Sequence, residues 1–196
     1  MTVVENIPSE NRLRRRRGGF SLIEVMIATV VLVVGLVGLL GLFALAVKTT
    51  QTSQENLIAK EIANNTMESI LACKNASQVY WLQIQNVGAG TTPDGIFLTG
   101  YQPIYYPGAD KIYGTADDAS DPSGYMVYKI AGKDGLVGTG DDQTIPLNPK
   151  YMRQITITPV AGNDNVRQIT ISVQYQASPQ FAIYKYYVLQ TYISQF

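Results

Sequence analysis

The chain has 196 residues, 46% hydrophobic and 15% charged, and its 15 basic and 15 acidic residues cancel to zero net charge. Set aside a basic N-terminal stretch and one apolar span, and the length leaves room for one modest globular domain. Cys73 is the sole cysteine and histidine is absent, which excludes an internal disulfide, removes the commonest general base and zinc ligand, and makes an enzyme unexpected.

The first element is basic. Arg12, Arg14, Arg15, Arg16 and Arg17 lead into Gly18-Gly19, with only Glu5 and Glu10 opposing them in the first 19 residues. The remainder therefore carries an excess of acid. Basic residues ahead of an apolar span predict a cytoplasmic N-terminus and an exported C-terminal part. An arginine run also suits nucleic acid, but no second basic or aromatic surface supports that reading. A secretory signal has its cleavage site after the apolar region. Here the glycine comes before it, so a cut would leave the apolar segment on the mature protein.

Phe20 to Val47 follows, with Glu24 as its only ionisable side chain and no proline. As a helix it spans roughly 40 Å, enough for a hydrocarbon core of about 30 Å. Gly35, Gly38 and Gly41 recur every third residue, a spacing that lets neighbouring helix backbones approach closely. From Thr49 the pattern turns amphipathic. Ala59, Ile62, Ala63, Met67, Ile70 and Leu71 share a face, while Glu55, Lys60, Asn64, Asn65 and Glu68 occupy the rest. With no Pro or Gly from Thr49 to Tyr80, the reading is one helix from Phe20 to about Ala76, roughly 85 Å long.

Glu24 is costly in apolar surroundings and calls for a partner. It either sits at the membrane edge and reaches water, or meets a positive charge. Cleavage after Gly19 would create that charge, as an amine on Phe20 of a neighbouring subunit.

The string Gly19-Phe20-Ser21-Leu22-Ile23-Glu24-Val25 resembles the N-terminus of the type IV pilin and pseudopilin superfamily. In that family a class III signal peptide is cut by prepilin peptidase between the glycine and the phenylalanine. The resemblance implies that Gly19 precedes the cut, that Phe20 becomes the N-methylated first residue, and that Glu24 serves assembly as the fifth mature residue. It also implies other pilin or pseudopilin subunits, an inner-membrane assembly platform and, before assembly, membrane lipid as partners. The expected location is the inner membrane, single-pass with the N-terminus cytoplasmic, then the pilus, periplasm or cell surface.

Val25-Met26-Ile27-Ala28, Val34-Gly35-Leu36-Val37-Gly38-Leu39 and Ala59 to Glu68 resemble the PilV-type minor pilins, or pilus modification proteins. Type II secretion pseudopilins share much of this. Two features depart from the family: the leader is 19 residues long, and the C-terminal cysteine pair of many pilins is absent. A membrane-anchored calcium-dependent adhesin or enzyme is the remaining alternative.

Beyond the helix, Ser77 to Pro107 is rich in Gly, Thr, Pro and Tyr and reads as an irregular connection. Tyr125–Ala131, Arg153–Val160, Val166–Gln176 and Phe181–Ile193 read as strands. Ile155, Ile157, Ile169, Ile171 and Val173 alternate with polar residues, as in a sheet with one buried face. Gly162-Asn163-Asp164-Asn165 supplies a turn. The expected fold is α+β: a long N-terminal helix packed on a C-terminal antiparallel meander, as in pilins. The expected divisions are 1–19 leader, 20–47 membrane or filament-core helix, 48–76 amphipathic helix and 77–196 exported domain. Tyr184, Tyr186, Tyr187 and Tyr192 are either strand filling or a binding surface.

Two acidic loops, 108–118 and 132–142, share the frame Gly-x-Asp-x-x-x-Gly-Thr-x-Asp-Asp. Asp110, Asp117 and Asp118 in one and Asp134, Asp141 and Asp142 in the other are candidate ligands for a hard, oxygen-seeking cation, calcium above all. The spacing is not that of an EF-hand, which closes with a glutamate at its twelfth position. The competing reading is a pair of solvated Asp-Gly turns, each capping a hairpin.

Overall fold

The computed structural model describes residues 19–120, 123–178 and 183–196. Its first element is α1 (Leu22–Asn75), a single helix of 54 residues. The chain divides into two compact units, Met1–Lys48 and Thr49–Phe196.

In the first unit α1 runs unbroken through Gly35, Gly38 and Gly41, and every described residue is exposed. This helix is long and apolar enough to cross a membrane, and its most apolar window, of mean hydropathy 3.0, is wholly unburied. Leucine, valine and isoleucine left facing outward over this length lack a partner that water cannot supply. The basic leader proposed for 1–19 lies outside the described residues except for Gly19.

In the second unit the amphipathic half of α1 behaves as its periodicity predicts. Ile58, Ala59, Ile62, Ala63, Met67, Ile70 and Cys73 are buried, and Leu71 packs at the edge of the same core. They meet the inward residues of a four-stranded sheet. Its strands are β1 (Gln102–Pro103), β4 (Tyr151–Val160), β5 (Asn163–Ser178) and β6 (Ile183–Ser194), in the order β1-β4-β5-β6. All three pairings are antiparallel. Ile155 pairs with Ile171 and Ile157 with Ile169, so the alternation read from the sequence faces the helix. Phe97, Ile104, Ile112 and Leu147 complete the core from the connecting segments.

Two expectations need correction. The strand expected at Tyr125–Ala131 is not part of the meander. It forms β2 (Val127–Ile130), which pairs only with β3 (Gln143–Pro146) in a separate two-stranded sheet. β3 itself escaped notice because four residues offer too little alternation to register. The turn expected at Gly162–Asn165 is tighter than proposed: Gly162 has φ +78°, and β5 already begins at Asn163. The predicted strand from Phe181 starts outside the described residues, and its described part is β6.

The connection from residue 77 is irregular, as expected, and fastened by polar side chains. The Asn86 amide donates to Ile155 O at 2.8 Å and accepts from Ile157 N–H at 2.8 Å, covering the β4 edge where β1 ends. Arg167, buried on β5, donates to the Trp81 and Ile84 carbonyls and stacks 4.4 Å from the Trp81 ring. A planar guanidinium suits that double task.

Candidate functional site

The N-terminal site is built by the start of α1. Gly19 has open space around its Cα, and Phe20 is 82% exposed. Ser21 precedes the helix and Glu24 lies in its first turn. The Glu24 amide donates to Ser21 Oγ at 3.3 Å, and the Glu24 and Val25 amides reach Ser21 O at 3.1 and 3.2 Å. Ser-x-x-Glu is the sequence of a capping box, and a carboxylate here also favours the positive end of the helix dipole. The sequence reading overlooked Ser21, although this four-residue signature is legible without coordinates. Ser21 therefore caps the helix, and Glu24 stands at the position where a capping box places its carboxylate.

An exposed Gly-Phe junction, a capped helix start, one carboxylate and an unburied apolar helix are thus contiguous. Residues 14–40 match the family described as prokaryotic N-terminal methylation motif. Residues 14–40 carry a class III signal-peptide motif. The motif supports the type IV pilin and pseudopilin superfamily, processing by prepilin peptidase and assembly with other pilin subunits. It covers the N-terminal part of this pilin-like chain only. No curated protein and no solved structure matches.

The two acidic loops are wired alike. In the first, Asp110 N–H donates to Asp117 Oδ2 at 3.2 Å, and Ile112 N–H to Asp110 Oδ1 at 2.8 Å. Gly114 N–H donates to Asp118 Oδ2 at 2.6 Å, and Thr115 Oγ1 to Asp117 Oδ1 at 2.7 Å. In the second, Asp134 N–H donates to Asp141 Oδ2 at 3.4 Å, and Leu136 N–H to Asp134 Oδ1 at 2.9 Å. Gly138 N–H donates to Asp142 Oδ2 at 2.6 Å, and Thr139 Oγ1 to Asp141 Oδ1 at 2.8 Å.

The shared sequence frame follows from this wiring. Gly114 and Gly138 stand at φ +89° and +103°, where a side chain would be strained. A Cβ on Gly108 would lie 2.3 Å from Asp117, and one on Gly132 2.3 Å from Asp141. Each loop also closes a pair of antiparallel segments. The second joins β2 to β3. The first lies between flanks joined by Tyr106 N–H to Gly124 O at 3.1 Å and Met126 N–H to Ile104 O at 2.9 Å.

Their surroundings differ. The first loop is packed into the core: Thr115 and Asp118 are buried, and Arg153 of β4 reaches Asp118 Oδ2 at 3.4 Å. The same guanidinium donates to Thr66 of α1 at 3.0 Å and lies over the Tyr113 ring at 5.1 Å. Helix, sheet and loop thus meet at one buried cation. Arg153 Nε has no partner among the described residues. The sequence reading missed Arg153 and Thr66. The signal was a basic residue on the inward face of a strand, in step with Tyr151, Ile155 and Ile157.

Burial sets the charges of the first loop. It raises the Asp118 carboxyl, against the pull of the Gly114 amide and Arg153, and lowers Arg153 to about 10, against the pull of Asp118 and Tyr113. Burial also raises Asp110. Asp117 is lifted by burial too, yet Thr115 and the loop amides together hold it below the ordinary value. Asp110, Asp117 and Asp118 bring one carboxylate oxygen each within 4.8 Å of one another. In the exposed second loop, the Thr139 hydroxyl and Lys133 amide lower Asp141.

Proposed function

We propose that this chain is a structural subunit of a type IV pilus, a minor pilin that prepilin peptidase cuts between Gly19 and Phe20. One observation carries the reading: the Gly19–Phe20 junction stands directly before an unburied apolar stretch of helix, to Val47, whose only carboxylate, Glu24, lies in the first turn. Before assembly that helix occupies the inner membrane, with the N-terminus cytoplasmic. After the cut and methylation of Phe20 it joins the helices of other subunits, delivered by an inner-membrane platform. Gly35, Gly38 and Gly41 present backbone rather than side chain to those neighbours. Glu24 then meets the new amine of an adjacent Phe20.

The PilV-like runs Val25–Ala28, Val34–Leu39 and Ala59–Glu68 favour a minor pilin over a type II secretion pseudopilin. Cells lacking the chain should lose most surface pili while secreting exoproteins at the normal level. Normal piliation with failed exoprotein secretion would reverse the assignment.

The acidic loops complete the proposal as calcium sites. Each carboxylate oxygen that accepts a loop amide keeps a second lone pair, and the crowded carboxylates of the first loop have a single arginine against them. In the second loop, Asp134, Asp141 and Asp142 form no described ion pair. A divalent cation would offset this concentrated charge and fix loops that no disulfide can hold.

Excess calcium at about ten times its dissociation constant would stabilise the fold by about 1.4 kcal/mol, or a few degrees of Tm. A chelator should remove that increment. Without metal, the raised Asp110 and Asp118 groups add stability that is full below their unfolded pKa and lost as pH rises through the folded one. Calcium needs the ionised forms, so the gap between melting curves with and without it should widen as pH rises through the carboxylate range. Superimposable curves at all pH values would leave the loops as hydrogen-bonded turns.

A further inference from the structure

The outward face of the sheet has a composition that neither the filament reading nor the acidic loops explains. Along β4, along β5 from Val166 to Gln176 and along β6, the inward positions form the core, and the alternate, outward positions carry no Asp, Glu, Lys or Arg; Asp164 lies beyond them at the hairpin end. Solvated faces ordinarily mix charges of both signs. Here they hold glutamine, threonine and serine with Met152, Val160, Val166 and Val188 scattered among them, and tyrosines along the edge strand β6. Tyr184, Tyr186 and Tyr192 are 46%, 58% and 62% exposed, so these rings are not core filling. Tyr187, the fourth tyrosine singled out in the sequence, points inward and packs against the core.

The register adds a repeat. Tyr184 stands opposite Gln176, Tyr186 opposite Gln174 and Tyr192 opposite Gln168. Three times, then, an exposed ring lies beside an amide that both donates and accepts. Tyr101 extends the face, its hydroxyl 2.9 Å from Ser172 Oγ and its ring centroid 6.4 Å from that of Tyr186. From Tyr184 to Tyr192 the row is about 27 Å long at the rise of an antiparallel strand.

We infer that this face binds a neutral polysaccharide. Pyranose rings present C–H faces that stack on tyrosine and hydroxyls that exchange hydrogen bonds with glutamine, threonine and serine. A polymer without charge matches a face without charge. Nucleic acid would need cations to meet its phosphates, and the outward positions supply none. A membrane surface would need a contiguous apolar patch, whereas Val188 stands alone between polar neighbours on β6. The length of the row suits a chain of sugars rather than one. The inference goes beyond the filament proposal and holds for either secretion or pilus machinery.

The test uses the full chain extracted in mild detergent, with insoluble cellulose and chitin as probes. Wild type should be retained on at least one of them, and retention should survive 1 M salt, where the Debye length is about 3 Å. The triple variant Tyr184→Ala, Tyr186→Ala, Tyr192→Ala should lose at least tenfold in retention. The corresponding triple phenylalanine variant keeps the rings and should retain most of it, which separates ring loss from misfolding. Leader removal and filament incorporation, followed in the same variants, should match wild type. Failure of wild type to bind either polymer, or equal retention by the alanine variant, overturns the inference. So does loss of filament incorporation in the alanine variant with polymer binding unchanged, which would make the face a contact between subunits.

Discussion

Asp118→Ala is expected to destabilise the unit Thr49–Phe196 by about 3–5 kcal/mol, the cost of leaving one partner of a buried ion pair alone. Arg153 is 2% exposed and has Asp118 as its only described carboxylate partner. Without that carboxylate, the guanidinium keeps Thr66 and the Tyr113 ring, neither of which carries a compensating charge. The Gly114 amide and Thr115 hydroxyl lose an acceptor at the same moment. Against a typical total of 5–15 kcal/mol this is a large fraction, and Tm should fall by roughly 10 °C.

Asp142→Ala removes the equivalent residue of the repeat, with the same 2.6 Å bond from Gly138, but no described cation stands behind it. Its cost should be about 1 kcal/mol, that of a partly solvated hydrogen bond. Urea unfolding of the two variants side by side checks this. Equal losses would mean that the Arg153 contact contributes nothing beyond the loop's own wiring.

That asymmetry marks where the sequence stops being legible. The Gly-x-Asp-x-x-x-Gly-Thr-x-Asp-Asp frame shows that two loops share a conformation, because glycine at φ near +90° and an aspartate capping amides are local demands. Which loop is buried depends on Arg153, 35 residues further on and three strands away in chain order. No local pattern records that pairing. The helix was legible for the opposite reason: its period of 3.6 is written in Ala59, Ile62, Ala63, Met67 and Ile70, and these residues are buried as expected. The central strands were legible through Ile155, Ile157, Ile169, Ile171 and Val173. β2 was assigned to the wrong sheet because alternation fixes which face is buried but not which strand is the neighbour. At the N-terminus the processing motif was legible from its residues, while the capping role of Ser21 went unread beside it.

Glu24→Ala should leave leader removal intact and abolish most filament incorporation. The proposed cut at Gly19–Phe20 lies upstream of the carboxylate, whereas the proposed docking in an apolar bundle needs a counter-charge for the new amine. An ion left unpaired there costs several kcal/mol, enough to reduce incorporation by orders of magnitude. The capping box offers a rival explanation, since alanine also forfeits the first-turn carboxylate, worth about 1 kcal/mol. Glu24→Gln separates the two. Glutamine is accepted at the third position of a capping box but carries no charge, so it should fail as alanine does. Incorporation of the glutamine variant at the wild-type level would assign Glu24 to helix capping alone. Counting labelled subunits in sheared filaments, alongside the cell-associated processed pool, gives both quantities.

Filament assembly as proposed depends on the apolar helix surviving a cut made ahead of it. Mass spectrometry of the protein extracted from membranes of cells that make prepilin peptidase tests this directly, with a Gly19→Ala variant as the uncut control. The expected spectrum is a chain beginning at Phe20 with one added methyl group, and an intact, unmethylated leader in the control. A wild-type chain that retains Arg12 to Gly19, or one that begins beyond Val47, would contradict it.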